Sequence, residues 1–166
     1  MENSMIRHAR KEEIQRIMEI YDAARAFMRA NGNLNQWSGG YPSAEELLGD
    51  IERKNLYAYE TEDGNICACF ALIKGIDPTY GRIDDGSWKS DLPYAAIHKV
   101  ASDGTIHGFF AKCVQFARER YTHLRVDTHH DNYPMQHVIL KNGFEYRGII
   151  YLANGDPRKA YEWIKA

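Results

Sequence analysis

The stretch IHKVASDGTIHGFFAKCVQFA, Ile97 to Ala117, decides the fold. Its beginning closes an apolar run, YAAIHKVA (Tyr94 to Ala101), of strand length. Phe109, Cys113, Phe116 and Ala117 then recur at helical spacing through about Arg120. Between strand and helix lies a loop carrying Gly104 and Gly108. Such a loop presents the unpaired N–H groups of the helix's first turn. Together with the helix dipole they favour an anion, best a phosphate or pyrophosphate. The glycines let the backbone turn and approach a ligand closely, and Thr105 and His107 add a hydroxyl and a ring N–H. The same residues also suit a plain helix start, and the stretch by itself does not choose.

On the N-terminal side, Met5 to Ala9 reads as a first strand. Ile14, Ile17, Met18, Tyr21, Ala24 and Met28 then predict a long amphipathic helix from Lys11, broken by NGNLNQW. In PSAEELLGDIERKN, Ser43 with Glu46 three residues later marks the start of a second helix. Leu56 to Thr61 alternates as a strand, and Glu62 to Asn65 supplies a turn. Ile66 to Lys74 is apolar on both faces, as a central strand is. GIDPTYGRIDDGSWKSDLP, Gly75 to Pro93, has no clear period and is expected to be a lid or binding loop. On the C-terminal side come a short strand, Leu124 to Asp127, and a helix from Asn132 that Gly143 ends. FEYRGIIYL and KAYEWIKA follow as two strands around the turn ANGDPR. The order β-α-α-β-β-β-α-β-α-β-β predicts an α/β class, a mixed sheet with helices on both faces.

Composition narrows the function. The 166 residues, 44% hydrophobic and 27% charged, suit one soluble domain spanning 1–166. A net charge of −2 with mixed signs argues against nucleic acid as a partner. No apolar run approaches the roughly 20 residues of a membrane helix, so no membrane association is expected. MENSMIRHARKEE does not read as a signal peptide. Cys67, Cys69 and Cys113 form no disulfide framework, which suits a cytoplasmic protein.

A second constellation, DTHHDNYPMQHVILKNGF (Asp127 to Phe144), places His129, His130, Asp131 and Asn132 in a polar turn between strand and helix. With the first stretch it carries a resemblance over roughly Met5 to Ile164 to the GNAT superfamily of acyl-CoA-dependent N-acetyltransferases. The element order, the strand–loop–helix of Ile97 to Ala117, and Asn132-x-x-Met135 followed by KNGFEYRGIIYL carry it together. The resemblance implies a splayed, GNAT-like mixed sheet and acetyl-CoA as acyl donor. It implies that Lys99, Val100 and Ala101 pair with the pantetheine arm, that the N–H groups of Thr105, Ile106, His107, Gly108, Phe109 and Phe110 hold the pyrophosphate, and that Asn132 contacts the cofactor. Two positions depart from the family pattern. Thr105 and Phe110 stand where the loop usually has a basic residue and a small one, so the Phe110 ring is expected to turn into the core. Ile139 stands where many members have a Tyr that protonates the leaving thiolate.

The expected reaction is acetyl transfer to a primary amine of a small molecule or peptide, by direct attack. The alternative is a non-catalytic module of the same fold that binds acyl-CoA or a partner. A free amine with a pKa of roughly 10 is about one part in a thousand neutral at pH 7, so a base helps. His98 can titrate near neutrality, and on a period of two it shares a face with Ala96 and Val100, with Lys99 opposite. A hydrogen-bonded strand histidine is the competing reading. Tyr133 and Tyr151 are candidates for the acid. Trp37, Tyr41, Trp88 and His129 are candidates for the acceptor pocket, each with a packing or turn role as the alternative. His129, His130 and Asp131 are adjacent residues that rarely converge on one ion, so no metal is expected. Family analogy implies a homodimer.

Overall fold

The structure is a computed structural model that describes residues 5–166. The chain runs β1 (Met5–His8), α1 (Ile14–Ala30), α2 (Ala44–Glu52), β2 (Leu56–Glu60), β3 (Ile66–Lys74), β4 (Ala95–Ser102), α3 (Phe109–Arg118), β5 (His123–Thr128), α4 (Tyr133–Lys141), β6 (Glu145–Tyr151) and β7 (Pro157–Ile164). The strands form one mixed sheet in the order β1-β2-β3-β4-β5-β7-β6. β4 and β5 are parallel, with a register from Ala95↔Leu124 to Ile97↔Val126. The pairs β1–β2, β2–β3, β5–β7 and β6–β7 are antiparallel. This is the expected α/β class, an open mixed sheet flanked by helices. No helix among the described residues is long and apolar enough to cross a membrane.

The chain divides into two compact units, Met1–Leu72 with His98–Phe109, and Ile73–Ile97 with Phe110–Ala166. In the first unit, α1 buries Ile17, Tyr21 and Ala24 of the stripe predicted from spacing, together with Ile20, which that stripe does not include, while Ile14, Met18 and Met28 are half-buried. Ser43 caps α2 by accepting from Glu46 N at 3.1 Å, which places Leu47 and Asp50, three apart and on one face, in the interior. β3 is buried from Ile66 to Leu72, as its two-sided apolar pattern predicts. Burying each large side chain here contributes about 1.5–3 kcal/mol.

In the second unit, Tyr80, Tyr94, Ala96, Ile150 and Ala160 form a core against which Ile83, Trp88 and Leu152 pack. Residues 75–93, expected to be a lid or binding loop, are fastened at several points, which is not how a free lid is held. Asp77 caps a 3-10 turn, Pro78–Tyr80, and Tyr80 is buried. Asp84 and Ile149 exchange backbone hydrogen bonds at 2.9 and 2.7 Å. Trp88 Nε1 donates to Tyr80 O at 2.8 Å, Lys89 N to Glu162 Oε1 at 2.9 Å, and Arg125 to Ser90 O at 2.7 Å. These contacts are largely made by backbone atoms, so they leave no periodic side-chain signal. β7 begins at Pro157, two residues before the sequence pattern shows it, because a proline is accepted as the first residue of a strand.

Candidate active site

The site features of the first unit are built around a kink in β4. Lys99 has φ +54°, the left-handed region, inside a strand. For a residue with a side chain this costs about 1–3 kcal/mol and persists only where the surroundings hold it. Both ends of Lys99 are held. Its carbonyl accepts from the Tyr21 hydroxyl at 2.6 Å. Its ammonium lies 2.6 Å from Asp50 Oδ2 and 3.7 Å from Glu46 Oε2, with 9% of the Lys99 side chain and 3% of the Asp50 side chain exposed. Burial acts against the charge on Lys99, yet the nearby Tyr41 phenol and the Asp50 and Glu46 carboxylates leave its pKa raised. The kink ends the simple period of two, so facing arguments based on alternation stop at His98. His98, Lys99 and Val100 are half-buried, and Ala101 is buried.

The loop beyond β4 has a built interior of its own. Asp103 N donates to Cys67 O at 3.0 Å. The Asp103 carboxylate accepts from Thr105 N at 2.9 Å, Thr105 Oγ1 at 2.6 Å and Arg16 at 2.6 Å. Burial works against the charge on Asp103, but the Thr105 hydrogen bonds and Arg16 hold its pKa below the ordinary value. Gly104 N donates to Ser102 Oγ at 3.1 Å. The N–H groups of Gly104 and Thr105 are therefore already used, whereas those from Ile106 to Phe110 have no partner among the described residues. Gly108 adopts φ +68° with open space where a Cβ would stand. Phe109 is buried, its ring edge-on to Tyr59 and Phe70.

Trp37 and Tyr41 belong to the same unit. The Trp37 ring lies 5.5 Å from that of Tyr21, and Lys99 Nζ lies 5.9 Å from the centre of the Tyr41 ring. Arg29 fixes the intervening turn by donating to Asn33 O, Gln36 O and Trp37 O. Tyr21, Trp37, Tyr41 and Lys99 are thus brought together. Spacing marks Tyr21 only as a core residue of α1, and nothing in the sequence marks Asp50. The signal for Tyr21 was its hydroxyl, since a tyrosine in a core stripe needs a partner for its O–H.

In the second unit, the Phe110 ring is 6% exposed and 6.2 Å from the ring of Phe144. It points into the core, as the sequence required. Asn132 caps α4, accepting from Met135 N at 3.2 Å. Tyr133, the next residue, is 69% exposed, and Ile139 is fully buried. Tyr151 donates to Asp84 Oδ2 at 2.8 Å, and that hydrogen bond raises its pKa. Trp88 is packed against Tyr80, with the Arg125 guanidinium 3.9 Å from its ring centre. His129 is buried, and its Nδ1 accepts from Asp131 N at 3.0 Å. The ligand atoms of His129, His130 and Asp131 lie within 4.8 Å of one another, but the two imidazoles are stacked at 4.3 Å.

No family model matches the sequence, and no curated protein does. Solved structures do. An acetyltransferase of the GNAT family from Streptococcus agalactiae is 30% identical, with 100% of this chain and 98% of that chain covered at a TM-score of 0.89. The chain belongs to the GNAT family of acetyltransferases. A GNAT acetyltransferase from Listeria monocytogenes, 15% identical, covers 99% of this chain and 98% of its own at a TM-score of 0.73. A ribosomal-protein-alanine N-acetyltransferase from Brucella melitensis, 18% identical, covers 96% of this chain and 99% of its own at 0.64. These two share the GNAT fold with this chain, and the role that follows from the family is acetyl transfer.

Proposed function

We propose that this GNAT protein transfers an acetyl group from acetyl-CoA to a primary amine of a small molecule or peptide by direct attack. The observation that carries the reading is the continuous run from the Lys99 kink to the unpaired N–H groups of Ile106 to Phe110. The N–H groups ahead of a helix suit a pyrophosphate, and the burial of the Phe110 ring keeps that side chain out of their way. Thr105, whose N–H and hydroxyl go to Asp103, shapes the loop, and the cradle starts at Ile106.

Acetyl-CoA supplies an activated thioester. Lys99, Val100 and Ala101 position it, and the Val100 N–H donates to the thioester carbonyl oxygen, where negative charge develops. The amine nitrogen forms the new C–N bond, the C–S bond breaks and its electron pair leaves on sulfur. His98, beside the kink, takes the amine proton. The thiolate is a good leaving group, so Ile139 in the acid position is compatible with turnover. Trp37 and Tyr41 are assigned to the acceptor side.

Calorimetry with acetyl-CoA tests the cradle. The Gly108→Ala variant is expected to bind at least about tenfold more weakly and to lose about 1 kcal/mol of stability, because its φ is left-handed. Unchanged affinity would place the pyrophosphate elsewhere. In a thiol-release assay, His98→Gln should lose the acidic limb of the wild-type pH–rate profile, where protonation of the base stops the reaction, and an unaltered profile removes His98 as the base. The buried Ile139 favours a second reading, a binding module without turnover. Acetyl-CoA that binds but releases no thiol across an amine panel would decide for it.

A further inference from the structure

Tyr21 has no place in the reaction just described, yet it touches the peptide on which that reaction turns. Its hydroxyl donates to Lys99 O at 2.6 Å, and the residue is completely buried. The Lys99–Val100 peptide is trans. In a planar trans peptide the C=O and the N–H point in opposite directions. The atom that fixes Lys99 O therefore also fixes the direction of the Val100 N–H, which must point away from Tyr21.

We infer that Tyr21 is a positioning residue that aims and strengthens the Val100 N–H donor through the Lys99–Val100 peptide. The inference rests on the proposed role of Val100. It does not follow from packing alone, because the ring and the hydroxyl are separable. The ring fills the α1 stripe and meets Trp37, whereas the hydroxyl touches the carbonyl of the one residue of β4 with a left-handed φ. A left-handed φ inside a strand is strained and persists only where the surroundings hold it, so the peptide plane needs anchors. Tyr21 supplies one at the carbonyl, and Asp50 supplies the other at the Lys99 ammonium. Hydrogen bonding to a peptide carbonyl also polarises the whole amide, which makes its N–H a stronger donor.

Tyr21→Phe keeps the ring and deletes only the hydroxyl. The expected result is a fall in kcat of about tenfold or more, short of the ~10²–10³ lost when an oxyanion donor is removed outright. The KM for acetyl-CoA and the Kd for CoA, which has no acyl carbonyl, should stay within about twofold. A merely structural role would lower the melting temperature and leave kcat and the carbonyl signature alone. That signature is the infrared stretch of acetyl-CoA labelled with ¹³C at the thioester carbonyl. In the wild-type complex it should lie below the free value, and in Tyr21→Phe it should move back toward it. Should Tyr21→Phe not fold, difluorotyrosine inserted at position 21 keeps the shape and strengthens the donor, and the stretch should then fall further. An unchanged kcat and carbonyl frequency in a variant that binds acetyl-CoA overturns the role of Tyr21 and leaves acetyl transfer standing. If the wild-type protein neither binds nor consumes acetyl-CoA, the proposed function fails and the role of Tyr21 fails with it. If the wild type binds without turnover, the infrared shift alone decides.

Discussion

Each unit of the molecule buries a carboxylate, and the two carboxylates hold different things. In the first unit Asp50 pairs with the Lys99 ammonium at 2.6 Å and with the exposed Arg53 guanidinium at 3.1 Å, and its buried partner is a single left-handed residue in β4. In the second unit Glu162 faces His123 Nε2 at 2.6 Å, Arg147 Nε at 3.1 Å and Arg125 Nε at 3.6 Å, and it also accepts from Lys89 N at 2.9 Å. Arg125 and His123 in turn contact the backbone carbonyls of Ser90 and Leu92, so what Glu162 stabilises is the 75–93 segment. A hydrophobic side chain could fill either space but could not grip a backbone that lies outside regular structure. Buried charge here fixes geometry, a local use distinct from adding net stability.

The strongest way to break the comparison is Glu162→Gln. Removing the charge leaves the buried Arg125 uncompensated, and the expected loss is about 3–5 kcal/mol, read from urea unfolding. Trypsin should also cut faster after Arg82 and Lys89, which the network otherwise keeps in a fastened segment. A variant that unfolds earlier but is cut no faster would show that Glu162 serves the core and not the segment. Asp50→Asn should cost somewhat less, about 3 kcal/mol, because Glu46 remains 3.7 Å from the ammonium. Adding Lys99→Gly sharpens this test, since glycine adopts the left-handed φ without an anchor and removes the ammonium that Asp50→Asn leaves with Glu46 alone. The double variant should therefore be more stable than Asp50→Asn alone, a non-additivity expected of groups in contact. Strict additivity would separate Asp50 from the kink.

A smaller effect separates charge from backbone within the second unit. Gly148 has φ +152°, and a Cβ there would run into the Asp84 carbonyl oxygen, while one on Gly86 would run into that of Arg147. Residues 84–86 and β6 thus approach backbone to backbone. Gly148→Ala should cost about 2 kcal/mol, within the range for a strained φ, and should release the Tyr151–Asp84 hydrogen bond. A tyrosine hydroxyl titrating closer to its ordinary range would report that release.

The same contrast explains what was legible in the sequence. The α1 stripe, the two-sided burial of β3 and the Ser43 cap follow from period and local chemistry, so they could be read in advance. Phe110 could be read as a requirement, because a large residue in a cofactor loop has to turn inward, and its packing against Phe144 meets that requirement. The Lys99 kink could not be read, because lysine has no local preference for a left-handed φ and its anchors, Tyr21 and Asp50, lie far away in the chain. The 75–93 segment was opaque for a related reason: its partners on β5, β6 and β7 are mostly met by backbone atoms, which carry no pattern in the letters. What sequence reading recovers is the periodic scaffold and the family motifs, and what it misses is long-range support for irregular backbone.

The smallest expected effect concerns protons at His129. Burial, then the charges of Arg158 and His130, lower its pKa below the usual 6.5, against the opposing pull of Asp131 and Asp156. The hydrogen bond from Asp131 N to Nδ1 requires that nitrogen to be unprotonated, so geometry and electrostatics agree on a neutral ring. Between its folded pKa and 6.5 the unfolded chain binds a proton that the native chain does not, and stability there rises with pH. The contribution is complete above 6.5 and is lost as pH falls through the folded value. Urea midpoints should therefore drop between pH 7.5 and pH 5.5, and His129→Gln should flatten that drop while leaving the lower, carboxylate-driven limb in place. Proton resonances of His129 titrating at or above 6.5 would overturn the assignment, and they would also free Nδ1 from Asp131, loosening the turn that sets Asn132 at the head of α4.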